Sequence, residues 1–130
     1  MIVVDASAIL EILLKTPASP VVEERLFSRN TFLHAPHLLD VEVAQVLRRN
    51  NLAGTLTDKR GQEALQILAD MHITRHPHAL FLGRIWELRR NVTAYDAVYL
   101  ALSEVLSAPF ITRDARLASV PGHRTSVEVL

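Results

Sequence analysis

Four carboxylates, Asp5, Glu42, Asp96 and Asp114, stand where a folded chain can bring them to one place. Asp5 directly follows the apolar run Ile2-Val3-Val4, and Asp114 lies two residues past Ile111-Thr112. In open α/β sheets ligands bind beyond the carboxyl ends of strands, so both acids point to one rim. Asp96 falls in Thr93-Ala94-Tyr95-Asp96, a capping-box pattern that opens a helix. Glu42 is the anomaly: its helical neighbours are Leu38, Leu39 and Val46, within an apolar stripe. An uncompensated carboxylate there costs several kcal/mol, so it needs a cation or a proton. Crowded carboxylates raise one another's pKa unless a cation neutralises them. An all-oxygen set with no Cys and no required His suits Mg²⁺ or Mn²⁺ rather than Zn²⁺. Such an ion acidifies a water, orients its attack and offsets charge on phosphoryl and leaving oxygens, which is the chemistry of phosphodiester hydrolysis. Ser7 and Thr112 are placed to hydrogen-bond these carboxylates or the ion's water.

Each acid also has a plainer reading. Asp5 can cap the helix that follows it, Asp114 a short turn at Ala115–Ala118, and Asp96 its own helix. Glu42 can pair with Arg49, two turns on along the same side. Capping and metal binding are compatible, because an acid in the first turn of a helix can face the strand rim.

The elements that must position these residues follow from short apolar runs alternating with longer helical patterns. Strands are expected at Met1–Val4, Thr31–Ala35, Ile73–Arg75, Phe110–Thr112 and Ser126–Val129. Helices are expected at Ala6–Leu14, from Pro20 to about Arg29, and at His37–Asn50, Asp58–Met71, Ala79–Arg90 and Ala94–Leu106. Thr57 reads as the N-cap of the helix from Asp58. This alternation indicates βαβ units around a parallel sheet. The block Leu80-Phe81-Leu82, Ile85, Trp86 and Leu88 is apolar over more than one helical face, which points to burial or self-association.

Length and composition bound the rest. The chain has 130 residues, 49% hydrophobic and 22% charged, with no cysteine. One domain over residues 1–130 is expected, burying roughly 68% of the unfolded chain's surface. The apolar fraction excludes disorder and the missing cysteines exclude a disulfide scaffold. No apolar run reaches the ~18–20 residues of a membrane helix, and no basic region precedes an apolar start, so a soluble cytoplasmic protein with no membrane partner is expected. Net charge is zero, yet 12 of the 14 basic residues are Arg, the residue suited to forked contacts with phosphate. With four of the 14 acids committed to an ion, 14 basic side chains face ten acidic ones elsewhere. Arg49, Arg113 and Arg116 lie nearest the acids in sequence and are the candidate phosphate contacts, followed by Arg89 and Arg90.

Other chemistries find little support. His76-Pro77-His78 is the only close histidine pair, and its proline makes a loop rather than a helical metal pair. The scattered glycines form neither a phosphate loop nor a dinucleotide fingerprint. A haloacid-dehalogenase-like phosphatase would want a second Asp two residues after Asp5, where Ser7 stands. A receiver-type signalling domain would want a Lys after a late strand, yet only Lys15 and Lys59 exist. A non-catalytic interaction module is opposed by Glu42 on an apolar face.

Val3-Val4-Asp5-Ala6-Ser7-Ala8, Leu39-Asp40-Val41-Glu42-Val43, Thr93 through Ala101 and Thr112-Arg113-Asp114 together resemble the PIN-domain ribonucleases, most closely the VapC toxins of bacterial toxin–antitoxin pairs. The order and spacing of all four acidic motifs carry the likeness across essentially the whole chain. The resemblance implies a PIN-like three-layer α/β/α fold with a short-stranded, mostly parallel central sheet. It implies a homodimer, Mg²⁺- or Mn²⁺-dependent endoribonuclease activity, and a cognate VapB-type antitoxin whose C-terminal segment occludes the catalytic groove. Asp5 and Asp96 match the family's core metal ligands, Glu42 and Asp114 complete the set, and Thr112 matches the hydroxyl before the last acid. Hydrolysis by an activated water leaves a 5′-phosphate without using the 2′-hydroxyl, so preference for RNA rests on shape and single-stranded access. PIN domains also act in housekeeping RNA processing, which is the alternative role.

Overall fold

Strand β1 (Ile2–Val4) is buried along its whole length, as is β4 (Phe110–Thr112). Such continuous apolar runs suit a sheet covered on both faces. The computed structural model describes residues 1–130. After β1 come helices α1 (Ala6–Leu13) and α2 (Ser19–Leu26), then β2 (Leu33–Pro36), α3 (Leu38–Leu52), α4 (Asp58–Asp70) and β3 (Ile73–His76). A 3₁₀ turn (Ala79–Phe81), α5 (Leu82–Glu87) and α6 (Ala94–Leu106) lead to β4, and a second 3₁₀ turn (Ala115–Ser119) leads to β5 (Val127–Val129).

All five strands run parallel in the order β3-β2-β1-β4-β5. The sheet is therefore parallel throughout, where a mostly parallel one was expected. Val3 lies opposite His34 on one side and Phe110 on the other. The steps from β1 to β2 and β2 to β3 go one way, and the connection from β3 returns across the sheet to β4. Right-handed crossovers then place α1–α4 on one face and α5–α6 on the other. Consistent with this, α1 packs on α2, α3 and α4, while α6 packs on α5. The layers enclose a core of 29 buried residues, with Tyr99, Phe110, Ile9 and Leu13 among its largest side chains.

Local chemistry sets the boundaries. The Thr57 side chain accepts from the Arg60 N–H at the start of α4, and the Thr93 side chain accepts from the Asp96 N–H at the start of α6. The helix expected over Ala79–Arg90 is broken. It begins as a 3₁₀ turn, stays α-helical for six residues only, and turns out at Leu88. No side chain caps its start, and Gly83 in its interior is a poor helix former. Its apolar block divides: Phe81 and Leu88 enter the core, whereas Leu80, Leu82 and Trp86 stay exposed.

The C-terminal segment is held by charge. The Arg84 guanidinium donates to both carboxylate oxygens of Glu104 and to the Gly122 carbonyl. Gly122 has φ +90°, and a Cβ there would meet the Asn91 side chain at 3.3 Å, so glycine is required. At the edge strand, Arg25 on α2 grips Glu128 on β5 through two bonds of 2.6 and 2.8 Å.

Candidate active site

The connections diverge between β1 and β4, the point at which open α/β sheets form a crevice. Asp5 and Thr112 end these two strands there. Asp5 is only 8% exposed and caps α1, accepting the Ala8 N–H at 3.3 Å. Its Oδ1 also accepts from the Ser7 hydroxyl, and its Oδ2 from the Thr112 hydroxyl, each at 2.6 Å. Ser7 Oγ in turn accepts the Arg113 N–H, and Thr112 Oγ1 the Asp114 N–H. A hydroxyl network thus stitches the end of β4 to the start of α1. Burial raises the Asp5 pKa, the hydroxyls and the Ala8 amide lower it, and the charge of Asp96 raises it again.

Glu42, in the second turn of α3, is half-buried and approaches from the α1–α4 layer. Arg49, its alternative partner, does not hold it. Instead the Tyr99 hydroxyl, from α6 in the opposite layer, donates to Glu42 Oε1 at 2.6 Å. Tyr99 is buried and stacks on Phe110 with ring centroids 5.6 Å apart. Burial raises the Glu42 pKa, the Tyr99 bond opposes this, and the charges of Asp5 and Asp96 raise it further. Tyr99 escaped the sequence reading, because it stands in the apolar run Ala97–Leu102 and looks like core. Its one signal is its position three residues after Asp96, on the same side of α6.

Asp96 is half-buried in the first turn of α6. Burial raises its pKa first and Asp114 adds to that, while Arg116 and Thr93 lower it. Asp114 caps the 3₁₀ turn Ala115–Ser119 and accepts the Arg116 N–H. The Arg116 guanidinium beside it, 2.7 Å at the shortest contact, holds its carboxyl below the usual range. Asp40, in the same motif as Glu42, points elsewhere and accepts from Arg75 on β3.

Asp5 therefore stands at the end of a sheet strand, Glu42 on one helical layer and Asp96 on the other; burial raises the Tyr99 pKa first, and the Glu42 hydrogen bond and the charges of Glu42, Asp5 and Asp96 raise it further. As the side chains stand, no three Asp, Glu or His groups converge tightly enough to hold a metal ion. Protein donors occupy the oxygens: Ser7, Thr112 and Ala8 on Asp5, Tyr99 on Glu42, Arg116 on Asp114. In chemistry the set fits a hard divalent cation, being carboxylates and hydroxyls alone, with three of the acids raised by burial and mutual repulsion. The second oxygen of Glu42 is free, and a carboxylate oxygen that accepts one hydrogen bond keeps another lone pair for an ion or its water.

Two clefts flank the acids. One of about 460 Å³ lies on the α6 side, lined by Arg89, Arg90, Asn91, Thr93, Asp96 and Arg116. The other, about 440 Å³, lies on the α3 side and includes Ser7, Leu10, Glu42, Gln45, Arg49 and Tyr95. Two of the three arginines singled out for phosphate, Arg49 and Arg116, line these clefts. Arg113 does not: its side chain pairs with Glu11 and the Leu130 carbonyl, and only its backbone N–H serves the site. Arg89 and Arg90 both line the α6-side cleft, and the Arg89 guanidinium also sits 4.5 Å over the exposed Trp86 ring.

Residues 2–123 match the family described as PIN domain. The chain belongs to this family. Among relatives of this PIN domain, Ribonuclease VapC1 of Mycobacterium tuberculosis is 40% identical over 121 residues, covering 92% of this chain and 90% of the relative. Ribonuclease VapC12 of the same species is 38% identical over 130 residues, covering 100% and 99%. The fold is also that of VapBC2 from Rickettsia felis, solved bound to a DNA fragment from its promoter, with a TM-score of 0.74 at 14% identity and coverage of 99% and 98%.

Proposed function

We propose that this PIN domain is a divalent-metal-dependent endoribonuclease and the toxin of a toxin–antitoxin pair, restrained by a VapB-type antitoxin. The observation that supports the reading is the Tyr99 hydroxyl donating to Glu42 at 2.6 Å, with Asp5 at the end of β1 and Asp96 at the start of α6, three carboxylates whose pKa burial and neighbouring charge raise. A surplus of buried negative charge is costly to keep without a cation. The relatives named as VapC ribonucleases support the RNA-directed activity and the toxin role.

Asp5, Glu42, Asp96 and Asp114 would hold Mg²⁺ or Mn²⁺, directly or through water. When bound, the ion activates water and offsets phosphoryl charge. The chain's own side chains do the rest. Ser7 and Thr112 fix both oxygens of Asp5, so its carboxylate cannot rotate away from the crevice. Tyr99 anchors one oxygen of Glu42 and leaves the other free. Arg49 and Arg116, on opposite flanks of the acids, take the phosphates on either side of the scissile bond. The exposed Leu80, Leu82 and Trp86 supply the apolar face of the homodimer implied by the family likeness. A cytoplasmic location follows from this role, and no helix is long and apolar enough to cross a membrane.

The test is cleavage of a panel of structured RNAs by the wild-type chain beside Asp5→Asn. Cleavage needing Mg²⁺ or Mn²⁺, lost with EDTA and absent in the variant, is expected. Equal cleavage by the folded variant refutes the assignment. For the toxin role, expression alone should arrest growth, with rescue by the small neighbouring antitoxin frame. Normal growth with abundant active protein selects housekeeping RNA processing instead.

A further inference from the structure

Arg116 stands in two places at once. Its fork closes on Asp114 through Nε–Oδ1 at 3.0 Å and Nη2–Oδ2 at 2.7 Å, and it also lines the α6-side cleft with Asp96, Arg90 and Thr93. The pair is open to water, with 85% of the Arg116 side chain and 28% of the Asp114 side chain exposed. An exposed ion pair of this kind is weakly held and easily exchanged. The Nε–Nη2 edge of the guanidinium is filled by Asp114, and a phosphodiester offers that edge the same pair of oxygens as a carboxylate. While Arg116 grips Asp114, that carboxylate is neutralised and denied to a cation.

We propose that Arg116 is a positioning residue that exchanges partners: RNA phosphate entering the α6-side cleft takes its guanidinium, and the release of Asp114 completes the acidic centre for the divalent ion. This rests on the ribonuclease reading above and adds to it a coupling between substrate and metal. Once Arg116 turns to phosphate, Asp114 keeps only the Arg116 backbone N–H as a donor. Its charge then falls unshielded on Asp96, and the two acids favour a cation between them. Linkage makes the effect reciprocal, so metal tightens RNA by the same factor as RNA tightens metal. The chain thereby keeps its full ligand set for moments when substrate is present.

The experiment is a calorimetric titration of Mn²⁺ into metal-free wild type, Arg116→Gln and Asp5→Asn, each with and without a saturating 5′-phosphorylated RNA hexamer analogue whose bridging 3′ oxygens are replaced by methylene groups, so that it keeps its charge and resists hydrolysis. In the wild type the hexamer should tighten Mn²⁺ binding about tenfold. Arg116→Gln should bind Mn²⁺ alone more tightly than the wild type does, and should lose most of the hexamer's effect. Because Arg116 is exposed, its loss as a mere turn-capping partner would shift the melting temperature and leave the coupling intact. An equal hexamer effect in wild type and Arg116→Gln, with Mn²⁺ binding still abolished by Asp5→Asn, overturns the exchange alone. Wild-type Mn²⁺ binding that is absent, or indifferent to Asp5→Asn, overturns the metal-dependent reading with it.

Discussion

Replacing Tyr99 by Phe removes one oxygen and leaves the stack on Phe110 in place, so its consequences can be followed closely. The lost bond is a 2.6 Å contact from a buried hydroxyl to a carboxylate. A hydrogen bond to a charged group contributes about 1.5–3 kcal/mol net. Glu42 is half-buried and water can replace part of the donor, so the loss should be about 1–2 kcal/mol at neutral pH. At this chain length that is a fall in melting temperature of about 4–8 °C. The pH dependence carries the sharper signature. The tyrosine bond holds the Glu42 pKa down against burial and the charges of Asp5 and Asp96, so without it that pKa rises further. Between the two folded-state values the variant binds more protons than the wild type, and the stability gap widens as pH increases. Unfolding of EDTA-stripped wild type and Tyr99→Phe should therefore show a small gap near pH 4 and the full gap near pH 7.5. A Glu42→Gln background should shrink the gap at the higher pH, since the two side chains are directly coupled. A gap equal at both pH values, or unchanged by Glu42→Gln, would mean that the hydroxyl contributes packing only.

Asp5→Asn should make the metal-free chain more stable than wild type at neutral pH and nearly equal to it in acid. The raised folded-state pKa of Asp5 means stability is full below its unfolded value and is lost as pH climbs through the folded one, a loss the amide escapes; melting curves at the two extremes check this. Saturating Mn²⁺ at about a hundred times its Kd should stabilise the wild type by about 2.7 kcal/mol and leave Asp5→Asn unmoved, read by thermal shift. Thr112→Val should leave Asp5 Oδ2 and the Asp114 N–H short of a partner at a cost of about 1–3 kcal/mol, with Thr112→Ser restoring both stability and cleavage. Gly122→Ala should destabilise the chain, because φ +90° resists a side chain and the new Cβ would press on Asn91; urea denaturation checks it.

Much of this arrangement can be read without coordinates, and the residues tell why. Asp5 and Asp114 follow short apolar runs, and a strand this short leaves little choice of where its end falls. The hydroxyls of Thr57 and Thr93 announce their helices three residues ahead of the amides they accept. What escapes is whatever depends on two distant segments meeting. The Tyr99 hydroxyl finds Glu42 across 57 positions, and nothing local distinguishes it from the core residues around it. The reach of Arg113 toward Glu11 and the chain end, rather than the crevice, likewise depends on how β4 lies beside α1. The breaking of α5 shows the other kind of miss: its apolar positions fit a helix, yet the weak start and Gly83 leave it only six residues.

The splitting of the acids between both helical layers has a consequence for biosynthesis. A ribosome making this chain releases Asp5 and Glu42 early, but their hydroxyl and carboxylate companions Thr112 and Asp114 come last, on a strand that pairs with the first one made. Until Phe110–Thr112 has threaded in beside Ile2–Val4, a nascent or truncated chain has no assembled centre. Whatever chemistry the centre supports is thus withheld from the nascent chain until its fourth strand has docked beside its first.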